Sequence, residues 1–219
     1  MNHIKNIIFD LDGTLIDSSE GVVEAVNYSL TQRGEPKQAP DAIKRFIGFP
    51  LNKMYPYFSE KPLDELYKHF QFKAAETVVA STVLLENVEE SLLVLKERGY
   101  NMAIASTKIR KHITGIIDKF GWSEYFISYS GGDEVKLVKP APDIFHLTLQ
   151  KMKAAAENSI VVGDTINDIY AAKEVPMKVV AVESPYGGRH DIISARPDFY
   201  IQQLSKLLDL LPGDNGNRL

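Results

Sequence analysis

Two aspartates, Asp10 and Asp12, end the apolar run of IIFDLDGTLIDS at residues 7–18. Like charges this close repel, and removing them from water is costly. On a strand, residues i and i+2 face the same way, so both carboxylates point into one crevice. A divalent cation between them, or a proton on one of them, makes the pair tolerable. Either solution makes this stretch a site. Gly13 then lets the chain turn tightly and leaves backbone N–H groups for an anion, which marks it as a substrate-binding position.

The same pattern recurs at IVVGDTINDIYAA, where an apolar run ends at Asp164 with Asp168 four residues on. Mg²⁺ takes oxygen ligands and usually only a few carboxylates. Asp10 and Asp164, on neighbouring strand ends, would supply them. In MAIASTKIRK a third run ends at Ser106 and Thr107, whose hydroxyls and following amides suit a phosphoryl oxygen. KLVKPAPDIF sets Lys139 before two prolines that stiffen its loop. An ammonium fixed there offsets carboxylate charge and steadies a phosphoryl group.

These residues need strands that end together. Short runs rich in Ile and Val at Ile4–Phe9, Met102–Ala105, Phe126–Tyr129, Ile160–Val162 and Val179–Val182 read as buried parallel strands. Helix-length amphipathic segments lie between them, at Val88–Arg98, Ile109–Phe120, Asp143–Met152 and Ile166–Lys173, with Gly99 and Gly121 as C-caps. The alternation predicts an α/β fold with a doubly wound parallel sheet and a site at the strand C-terminal ends.

Residues 17–83 break that rhythm. Helical stretches at Ser19–Arg33, Asp41–Phe46 and Leu63–Ala80 alternate with turn-prone sequence, and no strand is evident. The interval is too long for one crossover helix, so it reads as an inserted helical cap domain. The expected division is a core of 1–16 and 84–211, a cap of 17–83 and a mobile tail at 212–219.

The chain has 219 residues, a net charge of −4, 44% hydrophobic residues and no cysteine. Thiolate metal sites, disulfides and cysteine nucleophiles are therefore excluded. The acidic balance gives no general attraction to nucleic acid or to an anionic membrane. No apolar run approaches the ~20 residues of a membrane span. The short apolar stretch near the start, cut by acids, does not read as a signal peptide. The expectation is a soluble, cytoplasmic protein, with nothing to fix its oligomeric state.

Taken in order, DLDGT, AIAST, KPAPDIF and GDTINDIYAA resemble the four motifs of the haloacid dehalogenase (HAD) superfamily. More narrowly, the chain is similar to its phosphatases with a small helical (C1-type) cap, of which phosphoglycolate phosphatase is the best-known type. The resemblance implies a Rossmann-like core and Mg²⁺-dependent hydrolysis of a small phosphorylated metabolite, with 2-phosphoglycolate the favoured substrate. It implies Asp10 as nucleophile and Asp12 as general acid and then base, with the Asp12 main-chain carbonyl on the metal. Ser106 and Lys139 would hold the phosphoryl group, Asp164 would ligate the metal, and Asp168 would hold a metal-bound water or Lys139.

Three positions depart from the usual pattern: Glu86–Asn87 replaces a Pro-Gly pair, Val175–Pro176 replaces Ala-Gly, and Thr107 stands where Asn is common. None removes a catalytic group. In the cap, IKRFIGFPL offers Arg45 or Lys44 to a carboxylate or second phosphate of the substrate. Asp17 and Glu20 fall at the core–cap junction, Tyr186–Gly188 reads as a flexible surface turn, and Trp122 as a packing residue. A sugar-phosphate mutase of the β-phosphoglucomutase kind and an inorganic pyrophosphatase are alternatives within the superfamily. A dehalogenase is disfavoured by Asp12. A receiver-like signalling module or a non-catalytic phosphate-binding module is the alternative from another class.

Overall fold

Strand β1 (Asn6–Phe9) is buried along its whole length. Ile7 and Phe9 pack into one apolar cluster with Leu92, Ile116 and Trp122, while Ile8 packs into a second with Phe145 and Ile169. A strand covered on both faces is apolar at every position, so its sequence runs instead of alternating. The computed structural model describes residues 3–213.

In chain order β1 is followed by β2 (Ile16–Asp17), α1 (Ser19–Gln32), α2 (Pro40–Lys44), α3 (Leu51–Met54), α4 (Leu63–Ser81) and β3 (Val83–Leu84). Then come α5 (Val88–Glu97), β4 (Asn101–Ala105), α6 (Arg110–Phe120), β5 (Phe126–Ser130) and α7 (Asp143–Met152). The chain continues through β6 (Ser159–Gly163), α8 (Ile166–Glu174), β7 (Lys178–Val182), α9 (Arg189–Ser194), β8 (Phe199–Ile201) and α10 (Leu207–Leu210). Six strands form one sheet in the order β5-β4-β1-β6-β7-β8, each pair parallel. This is the Rossmann-like α/β sheet expected from the sequence. Helices α5 and α6 cover one face, and α7 and α8 the other.

Strand β1 lies between β4 and β6, and Phe9 is level with both Ile104 and Val162. Asp10, Ser106 and Asp164 therefore leave the sheet at neighbouring strand ends. The parallel register alone brings three distant sequence segments to one place.

The helices α1 to α4 have an apolar cluster of their own, with Val26, Leu30, Ile43, Met54, Tyr55 and Leu66 buried in it. Small residues Ala25 and Ala74 let α1 and α4 approach closely. The chain enters and leaves this insertion through a two-stranded antiparallel ribbon, with Ile16 opposite Leu84 and Asp17 opposite Val83.

Several elements went unread in the sequence. The ribbon strands have two residues each, too short for any period to register. Strand β8 is a three-residue edge strand without a long apolar run. Turn-prone sequence near Pro56 holds the short helix α3 and a 3₁₀ turn, Tyr55–Tyr57. Gly99 and Gly121 do take the left-handed φ of C-cap positions, +82° and +68°. Of the expected tail, residues 214–219 lie outside the described residues. The Pro212 carbonyl accepts a hydrogen bond from the Tyr100 hydroxyl at 3.0 Å. No helix among the described residues is long and apolar enough to cross a membrane.

Candidate active site

At the C-terminal ends of β1 and β6, carboxylate oxygens of Asp10, Asp164 and Asp168 lie within 4.8 Å of one another, and all three residues are buried. One ammonium stands among them. Lys139 Nζ donates to Asp10 Oδ1 at 2.7 Å, to Asp168 Oδ1 at 2.6 Å and to the Ala105 carbonyl at 2.7 Å. A lysine has three N–H donors, so this set saturates it.

Burial of Lys139 works against its charge, but Asp10 and Asp168 outweigh burial and hold its pKa above the ordinary lysine value. Burial raises the pKa of Asp10; Lys139 opposes the rise, and the Asp168 charge adds to it. Asp164 is raised well above the ordinary carboxylate value, first by burial and then by repulsion from Asp10 and Asp168. Three buried carboxylates against one ammonium leave the cluster short of positive charge. A hard divalent cation with oxygen ligands fits that deficit and that donor set.

Each acid is oriented by neighbours. Thr14 Oγ1 donates to Asp164 Oδ1 at 3.2 Å and Ser184 Oγ to Asp164 Oδ2 at 2.6 Å. Asp168 caps the start of α8: its Oδ2 accepts from Thr165 Oγ1 at 2.6 Å and from the Thr165 amide at 3.1 Å. Gly13 has φ +81°, and a side chain there would collide with the Asp164 carboxylate. The position thus needs glycine for its backbone angle and for space.

Asp12 stands apart from the cluster. Its Oδ1 accepts a short hydrogen bond from the Ser18 hydroxyl, and its Oδ2 pairs with Lys108 Nζ at 3.1 Å. Ser106 is buried, and its Oγ accepts from the Lys108 amide at 3.2 Å, leaving its hydroxyl proton for another acceptor. Thr107 is half-buried beside it.

Two cavities open between the insertion and the sheet. One, of about 670 Å³, is bounded by Asp164, Thr165, Tyr186, Arg45 and Lys53. The other, of about 460 Å³, reaches Asp12, Thr107, Lys108 and His112 on the core side. Phe46, Ile47, Phe49 and Pro50 line both, so this segment is the partition between them. Gly48, at φ +86°, is pressed against Thr165: a Cβ would lie 2.8 Å from Thr165 Cγ2. Arg45 is exposed on the rim of the larger cavity, its guanidinium 5.1 Å from the centre of the Phe46 ring.

The structure brings Asp10, Lys139, Asp164 and Asp168 into one cluster, with Asp12, Ser106 and Thr107 beside it. Arg45 is carried on the opposing insertion. Tyr186 does lie in a turn, closed by the Gly187 amide donating to the Ser184 carbonyl at 3.4 Å, but it is half-buried and its hydroxyl donates to Asp17 Oδ1 at 3.0 Å. Gly187 and Gly188 are exposed. Asp17 is indeed a junction contact, while Glu20 is exposed. Sequence reasoning passed over Ser18, Lys108, Ser184 and His112. Ser184, two residues past β7, follows the same strand-end rule that identified Asp164 and was legible on that ground.

The comparisons with known proteins bear on the whole chain. The family model described as haloacid dehalogenase-like hydrolase matches residues 7–182. A pyrophosphatase, PpaX, of Anoxybacillus flavithermus is 28% identical over 212 residues, covering 95% of this chain and 97% of that protein. A phosphoglycolate phosphatase of Photobacterium profundum is 28% identical over 219 residues, covering 95% and 96%. The crystal structure of a predicted phosphoglycolate phosphatase from Haemophilus somnus superposes with a TM-score of 0.85 at 26% identity, covering 96% and 99%. A parallel sheet that gathers four acids and a lysine at its C-terminal edge, matched over most of its length by that family model, makes this chain an enzyme of the haloacid dehalogenase-like hydrolases, of the phosphatase kind.

Proposed function

We propose that the protein is a Mg²⁺-dependent phosphatase that hydrolyses a small phosphomonoester through a phosphorylated Asp10. The observation that carries this reading is Lys139, which locks Asp10 Oδ1 and Asp168 Oδ1 together beside Asp164. With Oδ1 held, Asp10 Oδ2 is the attacking oxygen. It forms a bond to phosphorus as the P–O bond to the alcohol breaks, and that electron pair stays on the alcohol oxygen. Asp12 gives the departing oxygen a proton. A water then returns a proton to Asp12 and attacks phosphorus, releasing inorganic phosphate and restoring Asp10.

Ser106 donates its hydroxyl to a phosphoryl oxygen. Lys139, its donors already engaged, acts through its charge and its hold on Asp10. Asp10, Asp164 and the main-chain carbonyl of Asp12 are the groups that would hold Mg²⁺, with Asp168 behind them. Bound there, the ion neutralises the carboxylates and withdraws charge from the phosphoryl group. The insertion, residues 17–83, serves as a cap over the core, residues 1–16 and 84–211. The Gly48–Thr165 contact supports this, because it seats the insertion on the sheet.

The resemblance favours 2-phosphoglycolate. The curated relatives are equally similar whether named pyrophosphatase or phosphoglycolate phosphatase, so similarity by itself selects neither. The test is phosphate release from 2-phosphoglycolate, pyrophosphate, hexose phosphates and nucleoside monophosphates, with and without Mg²⁺, against an Asp10→Asn blank. Release that needs both Mg²⁺ and Asp10 is expected. Release that persists in the blank, or in chelator, overturns the reading.

A further inference from the structure

The two cavities at the carboxylate cluster differ in chemistry, and only one of them can receive the leaving group. This step rests on the proposed role of Asp12. The residue that protonates the departing oxygen must face it, and Asp12 lines the 460 Å³ cavity but not the larger one. The alcohol therefore departs into the smaller cavity.

That cavity is roofed by the insertion with Met54, Tyr67, Phe70, Ala74 and Val78, and the exposed Gln71 also lines it. None of these carries charge. On its floor the Lys108 ammonium is engaged by Asp12 at 3.1 Å and lies 3.4 Å from the Ser18 hydroxyl. Lys111 is exposed. His112, buried on the same floor, has its pKa pushed down to about 4 by burial and then by Lys108, so it offers a hydrogen bond and no charge at neutral pH. A second carboxylate or phosphate entering this space would lose its water against an apolar roof. An apolar body gains by the same move. The volume, too, is far larger than a two-carbon acid fills, and falls in the range of pockets for larger ligands.

We propose that the preferred substrate is a phosphomonoester of an alcohol carrying an aromatic or branched aliphatic body, held between α4 and the start of α6 in the Asp12 cavity. 2-Phosphoglycolate and pyrophosphate, which carry a second anion in place of that body, are poorer substrates.

The experiment measures Mg²⁺-dependent phosphate release from benzyl phosphate, ethyl phosphate, 2-phosphoglycolate and pyrophosphate. Benzyl and ethyl alcohols are of similar acidity, so their esters differ chiefly in the body to be housed. Benzyl phosphate is expected to exceed 2-phosphoglycolate and pyrophosphate in kcat/KM by about tenfold or more. Ala75→Trp fills the cavity from an exposed position on α4, and Phe70→Ala empties part of its roof. Each is expected to lower the benzyl-to-ethyl ratio of kcat/KM, by about tenfold for the tryptophan. A preference for 2-phosphoglycolate or pyrophosphate, still dependent on Asp10, overturns this proposal and leaves the phosphatase reading standing. So does a ratio unmoved in both variants. Loss of Asp10-dependent release from every ester overturns the phosphatase reading itself.

Discussion

The Tyr186 hydroxyl donates to Asp17 Oδ1 at 3.0 Å, tying the loop after β7 to the ribbon through which the chain enters the insertion. The same loop carries Ser184, which holds Asp164. Burial of Asp17 acts to raise its pKa; hydrogen bonds from Ser19 and Tyr186, with the charge of Lys44, overcome it and keep the carboxyl below its ordinary value. A single hydrogen bond thus couples the junction of core and insertion to a carboxylate of the site.

Tyr186→Phe removes that bond and nothing else of size. A hydrogen bond to a charged acceptor contributes about 1.5 kcal/mol or more. The variant is expected to lose about that much stability in urea denaturation and to show a severalfold lower kcat/KM. An unchanged kcat/KM would mean that the junction and the site are independent.

Lys139→Met leaves the acids of the cluster without their ammonium. Breaking a buried ion pair from one side costs roughly 3–5 kcal/mol. Thermal denaturation is expected to show a large fall in Tm and phosphate release to vanish. Mg²⁺ should raise Tm more in the variant than in the parent, since only the variant lacks a cation at Asp10. An equal shift in both would separate the metal from this cluster.

Gly48→Ala tests how the insertion sits on the core. Its φ of +86° strains any side chain, and a Cβ meets Thr165 Cγ2. A local strain of this kind costs on the order of 1–3 kcal/mol, so about a tenfold fall in kcat/KM is expected. Adding Thr165→Ser removes Cγ2 but keeps the hydroxyl that holds Asp168. Partial recovery in the double variant assigns the steric share of the loss.

His112 gives stability a dependence on pH. Burial first, and Lys108 and Lys111 with it, push its pKa from 6.5 to about 4, against a smaller opposing pull from Asp12 and Asp133. The unfolded chain takes up a proton near pH 6.5 while the folded imidazole stays neutral to about pH 4. This contribution is therefore complete above pH 6.5 and is lost as pH falls towards 4. The full span is on the order of 3 kcal/mol. Urea denaturation at pH 7.5 and 5.0 is expected to show a steeper loss in the parent than in His112→Leu. Equal slopes would rule the histidine out as the source.

Much of the site was legible because strand ends announce themselves. An apolar run that stops at an acid or a hydroxyl gives both the strand and the residue at its tip, and Asp10, Ser106 and Asp164 were found that way. Lys139 was legible only through its company, since nothing local distinguishes it from a surface lysine. Lys108 and Ser18 were missed because their role exists only once the turn after Asp12 is built. Tyr186 was missed because two following glycines read as a loose turn, although its ring reaches back to Asp17. The division of the insertion–core space into two cavities has no sequence signal at all. It follows from where the Phe46–Pro50 segment comes to rest.

The pairing of Asp17 with Val83 puts the two ends of the insertion side by side. A short turn could join them and close the chain over the same sheet, with the Asp10, Lys139 and Asp164 positions untouched. The helices are in that sense a detachable loop: the register that aligns the acids is set by strand pairing outside them. The Asp12 cavity is nevertheless a joint product, since the insertion supplies its roof and the strand ends its floor.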